Sequence, residues 1–134
     1  MSRIFYLCLL IPLFCSCDKN AEVEKIDNKQ LQIYYEKLKG LSLETLLHSN
    51  PNNIRDLKSY KDIYGWVKNE VDNFPLLFQN VISNKKVIGE DRSNSILLLW
   101  DLSDEFYPDI TEYIRNENNY DPEYLIQILI KHYN

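Results

Sequence analysis

The chain has 134 residues, 45% of them hydrophobic, and its 20 acidic and 15 basic side chains give a formal charge of -5. An acidic chain repels the phosphates of nucleic acid and anionic lipid headgroups, so where electrostatics steers association the expected partner is basic, with no nucleic acid. Cys8, Cys15 and Cys17 are its only cysteines, so nothing beyond Cys17 can form a disulfide, a thiolate nucleophile or a cysteine-ligated zinc site.

In chain order, Met1-Ser2-Arg3 supplies one positive charge, and Ile4 to Phe14 is apolar apart from the bend at Pro12. A small-residue segment, Cys15-Ser16-Cys17, follows. This is the layout of a secretory leader. The run is shorter than the roughly 20 apolar residues that cover a bilayer core. It also lacks the polar face that a core helix shows at a period of 3.6.

The end of the leader, Leu13-Phe14-Cys15-Ser16-Cys17, resembles the lipobox of bacterial lipoproteins, with Phe14 and Cys15 departing from the usual leucine and small neutral residue. The resemblance covers the leader only. It implies cleavage after Ser16 and a thioether between Cys17 and diacylglycerol, usually followed by N-acylation, and thus a chain held on a membrane of the cell envelope. Each buried methylene contributes about 0.8 kcal/mol, so two or more acyl chains anchor stably where one does not. Loss of Arg3 with the leader makes the remainder one charge more negative. The expected organisation is a signal peptide over 1–16, a lipidated cysteine and flexible tether over 17–27, and a single helical domain over 28–134. The tether is assigned because Ala21, Val23 and Ile26 are too sparse to bury a face.

Beyond the tether, helix signals recur and strand signals do not. Leu31, Tyr34, Tyr35 and Leu38 fall at helical spacing before Gly40, which predicts a stop there, with Ser42 capping a short turn that carries Leu43, Leu46 and Leu47. Asn50-Pro51, Phe74-Pro75, Tyr107-Pro108 and Asp121-Pro122 each place proline where a first helical turn needs no donor. Ser59-x-x-Asp62 resembles a capping box ahead of Ile63, Tyr64, Val67 and Val71, and Ser93 precedes Ile96, Leu97, Leu99 and Trp100. Ile110, Tyr113 and Ile114 lead to the polar break Asn116 to Asn119, and Leu125, Ile128 and Leu129 share a face of the final segment. Ile96 to Trp100 and Leu125 to Ile130 are read as helices because capping residues precede them; Val87-Ile88-Gly89 is a turn or a stray strand. The expected fold is all-α: a small helical bundle, or a short stack of helical hairpins hinted at by the two aromatic-proline pairs.

Candidate chemistry is sparse. His48 and His132 stand apart and fit no metal or protease spacing, so they are read as structural or surface residues. Asp101, Asp104 and Glu105 are spaced to share a helical face, the raw material of a hydrolase or hard-metal site. With Ser103 starting a new helix, they are instead ordinary first-turn acids, which is the reading preferred here. Gly40, Gly65 and Gly89 are isolated, so no phosphate-binding loop is formed, and no cofactor is implied.

The positive feature is aromatic. Tyr34, Tyr35, Tyr60, Tyr64, Tyr107, Tyr113, Tyr120, Tyr124 and Tyr133 accompany Trp66 and Trp100. Tyrosine and tryptophan suit interfaces, because they bury large area and lose little entropy on ordering. Tyr60, Tyr64 and Trp66 are the candidate partner-binding cluster, Tyr60 and Tyr64 lying one turn apart. The expected function is a non-catalytic, lipid-anchored protein-binding module of the cell envelope, an immunity or inhibitor protein being one kind. The alternatives are a structural or assembly lipoprotein and, last, an envelope hydrolase using Asp101 to Glu105.

Overall fold

The structure, a computed structural model, describes residues 26–48 and 53–133. The leader, Cys17 with its lipid, most of the tether and the Asn50-Pro51 helix start lie outside the described residues.

Six α-helices and no strand occur among the described residues, and the fold is all-α. Helix α1 is Asn28–Leu47; a 3-10 turn, Ile54–Asp56, leads into α2, Lys58–Glu70, and α3 is Phe74–Ile82. Then come α4, Gly89–Phe106; α5, Pro108–Asn116; and α6, Pro122–Tyr133. Ile96 to Trp100 and Leu125 to Ile130 are helical as expected. Pro75, Pro108 and Pro122 open α3, α5 and α6, where the missing N–H leaves no intrahelical bond unmade.

Helix α4 touches each of the other five helices. In a solenoid each hairpin contacts only its neighbours, so a central helix identifies a bundle instead of a stack. Its Leu98, Leu99 and Leu102 are fully buried and meet Tyr34, Leu38 and Leu41 of α1 and Leu77 and Phe78 of α3 in one core. Fully burying a side chain of this kind contributes about 1.5–3 kcal/mol. The Tyr34 hydroxyl, trapped in that core, donates to Ser95 Oγ at 3.0 Å. Burial pushes the Tyr34 phenol above its ordinary range, so it stays protonated.

Three local expectations are overturned by packing. Helix α1 does not stop at Gly40, because Leu38, Leu41 and Thr45 on either side are buried, and their packing outweighs the roughly 1 kcal/mol that glycine costs a helix interior. Ser42 therefore caps nothing; it is buried, donates to Asp91 at 2.5 Å and accepts from Asn94 at 3.3 Å. The Ser59-x-x-Asp62 box does not form either. The Ser59 N–H donates instead to the Glu44 carboxylate of α1 at 3.1 Å, while Asp62 pairs with Lys37 at 2.9 Å. Finally, α4 starts at Gly89, not after Ser93, because Gly89 adopts the left-handed φ of 61° that turns the chain into the helix. Val87-Ile88-Gly89 is this turn, not a strand. No helix among the described residues is long and apolar enough to cross a membrane.

Candidate functional site

The site is a groove of about 620 Å³ between α2 and α4, and its position follows from helical spacing. Tyr60, Tyr64 and Lys68 recur every four residues along α2, which places them on one stripe. Asp101, Asp104 and Glu105 form the matching stripe of α4. The expectation of a new helix at Ser103 is overturned: Ser103 is buried inside α4 and returns its hydroxyl to the Leu99 carbonyl at 2.7 Å, so the helix continues past it. The three acids thus occupy the last turns of α4 instead of a first turn, and they face α2 and α5.

Polar bridges span the gap. Tyr60 donates its hydroxyl to Asp101, and Tyr64 donates to Glu105 at 2.5 Å. The two rings stack with centroids 6.0 Å apart and planes 24° from parallel; Tyr60 is buried and Tyr64 half-buried along the groove wall, and both hydroxyls reach α4. Arg55, held at the 3-10 turn that Asn53 caps, grips Asp101 through Nε at 2.8 Å and Nη2 at 2.9 Å. Arg115 of α5 makes the same two-pronged contact with Asp104, at 2.7 and 2.9 Å, and Lys68 pairs with Glu105 at 2.6 Å. Gly65 lines the groove one residue beyond Tyr64, and a Cβ there would meet nothing within 4 Å.

These contacts set the protonation states. The hydrogen bonds from Arg115 hold the Asp104 carboxyl below its ordinary range, and those from Lys68 and then Tyr64 do the same for Glu105. Burial, reinforced by the neighbouring carboxylate, pushes both the Tyr60 and Tyr64 phenols upward. At neutral pH Asp104 and Glu105 are therefore ionised and the two phenols neutral. A general acid needs a carboxyl whose proton is retained near the working pH, and Asp104 and Glu105 are shifted the opposite way.

Trp66 does not join this groove. Two residues from Tyr64, it points about 200° around the helix and packs, half-buried, against the core. In its place the fold contributes Arg55 and Lys61. On the far side of the Arg55 and Asp101 contact lies a second groove of about 420 Å³, lined by Ile96, Leu97, Trp100 and Tyr120. There the Arg115 guanidinium sits 5.0 Å from the Trp100 ring centre, and Tyr120 lies 6.3 Å from the same tryptophan. Arg55, Asp101 and Asp104 border both grooves. The aromatic character of Trp100 and Tyr120 was visible in the sequence, but nothing there joined α4 to the segment after α5.

His48 ends α1 exposed, and His132 lies exposed with its ring edge-on to Tyr107 at 5.8 Å. Among the described residues no three histidine, cysteine or acidic side chains are grouped to hold a metal ion. Compared with known proteins, the chain matches no family model, no curated protein and no solved structure.

Proposed function

We propose that this chain is a lipid-anchored protein of the bacterial cell envelope that captures another protein through the groove between α2 and α4 and performs no chemistry of its own. The observation that carries the reading is the stacked Tyr60 and Tyr64 pair lining an open groove beside carboxylates already engaged by cations. Tyr64, half-buried on the groove wall near Arg55 and backed by Tyr60, which is only 4% exposed, is of the aromatic type on which binding energy concentrates at protein interfaces. The acids keep those phenols in place, since each tyrosine hydroxyl ends on a carboxylate. The lipid on Cys17, implied by the lipobox-like leader, would hold the body beside the membrane. Immunity and inhibitor proteins are one kind of binder that such an anchor suits, because it places the binder where an incoming enzyme acts.

The test is a pull-down from envelope extract with the soluble form that starts at Asp18, run beside a Gly65→Gln variant. Glutamine is a better helix former than glycine and has open space at this position, so the variant keeps its fold while filling the groove. One stoichiometric partner retained by the wild type and lost by the variant is the expected outcome. Recovery of nothing across several salt concentrations, or equal recovery by both, overturns the reading.

A further inference from the structure

The charge of the groove is opposite to that of the chain. Arg55 with Asp101, Arg115 with Asp104 and Lys68 with Glu105 cancel as pairs, and Lys61, on the groove wall, has no ion-pair partner among the described residues. Arg55 is not exhausted by its pair: a guanidinium has five N–H donors, two of which reach Asp101, and its side chain is 52% exposed. The border shared by the two grooves therefore offers the free donors of Arg55, and the wall of the first groove adds the one uncompensated positive charge, Lys61. On either side of it lies an aromatic surface, Tyr64 backed by the buried Tyr60 in one groove and Trp100 with Tyr120 in the other. Tyr120 is 59% exposed, so the second surface is open to solvent.

We infer that the two grooves form a single binding face, and that its occupant is a polypeptide segment with a carboxylate side chain lying between two apolar anchors. The anchors rest on the two aromatic pairs, and the carboxylate accepts from Arg55 and Lys61. The inference rests on the protein-binding reading and refines it. Net charge favours a basic partner at long range, whereas the groove's own donors select an acidic segment at contact. A glutamate or aspartate there gains a charge-assisted hydrogen bond, whereas a lysine would face Lys61 and Arg55.

Random dodecapeptides displayed on phage, selected on the full chain immobilised in mild detergent, provide the probe without assuming a spacing. Enrichment of peptides with two aromatic or aliphatic residues flanking Asp or Glu is expected. Synthetic copies of these should bind about fivefold or more weakly to Lys61→Glu, since an attractive contact becomes a repulsive one. They should also weaken against both Gly65→Gln, which fills one groove, and Tyr120→Ala, which trims the other without opening the core. Selection of Lys- or Arg-rich peptides, sensitivity to only one of the two groove variants, or no enrichment at all overturns the inference. If that happens while the envelope pull-down still retains a partner that Gly65→Gln loses, the binding reading stands and only its refinement falls. If the pull-down is also empty, both fall.

Discussion

Arg55 and Asp101 are 46 residues apart in sequence, yet the guanidinium of one donates to both carboxylate oxygens of the other, with both contacts under 3 Å. This pair ties the 3-10 turn before α2 to the outer face of α4, and it is the border at which the two grooves meet. Asp101 also accepts from Tyr60, so one carboxylate positions a cation and an aromatic ring together.

Asp101→Asn should consequently loosen both. The amide offers one acceptor oxygen where the carboxylate offered two, and the charge assistance is lost. Asp101 has little exposure while Arg55 is half in solvent, so a loss of about 1–2 kcal/mol is expected in urea unfolding, below the upper end for hydrogen bonds to charged groups. An unchanged midpoint would mean that the fork contributes nothing to stability.

The three glycines should respond differently to alanine. Gly40 and Gly65 sit inside helices with open space where a Cβ would go, so Gly40→Ala and Gly65→Ala should each stabilise by about 0.5–1 kcal/mol. Gly89→Ala should destabilise by about 1–2 kcal/mol despite equally open space, because φ is +61° there. Thermal unfolding of the three variants checks the contrast, and a stabilising Gly89→Ala would refute the left-handed turn that starts α4.

Stability should decline at both ends of the pH scale. Asp104 and Glu105 have folded-state values below their ordinary ones. Their contribution is complete above about pH 4.5, the upper unfolded value, and is lost as pH falls through the depressed folded values. Tyr34, Tyr60 and Tyr64 are raised, so their contribution is present below about pH 10 and disappears as pH rises beyond it. Urea midpoints measured from pH 2 to 11 test this, and a midpoint that kept rising as pH fell below 4 would contradict the acid limb. Phenolate absorbance should show these three tyrosines ionising above the ordinary phenol value.

Helix α2 should depend on a residue of another helix for its first turn. Removing the carboxylate with Glu44→Ala leaves the Ser59 N–H without its partner, and hydrogen exchange at the start of α2 should speed up while α6 is unaffected. Ser59→Ala should have a smaller effect on the same amides, because the backbone bond to Glu44 survives the loss of the Ser59 hydroxyl's own contact with that carboxylate. The reverse pattern would restore the local cap that the sequence suggests.

Phe78 probes the core. Its ring meets Tyr34 at 5.6 Å and Phe74 at 6.2 Å, both edge-on, and it has no exposure. Phe78→Ala should cost about 3–5 kcal/mol in denaturant unfolding. A loss under 1 kcal/mol would be incompatible with the packing described.

Proline and aspartate at helix starts, and apolar spacing along each helix, were legible in the sequence because their causes are local. Pro75, Pro108 and Pro122 open helices through a missing N–H, and Asp121 caps α6 by accepting from Glu123 two residues on. Wherever the deciding partner was distant, local reading failed. Gly40 breaks no helix because buried neighbours hold it, and Ser103 starts none because the core encloses it. Tyr60 and Tyr64 could be grouped from a four-residue step, and the same helical period already sets Trp66, two residues beyond Tyr64, on another side of α2.

The sequence by itself determined an all-α chain, its acidic charge and a body without cysteine, since composition and a 3.6-residue period act within a few turns of chain. Only the tertiary structure decided that Asp101, Asp104 and Glu105 are tied to cations, that Lys61 leaves the groove locally positive, and that Trp100 stands beside Tyr120. Those contacts join residues from separate helices, and their energies depend on distances that no stretch of sequence specifies on its own.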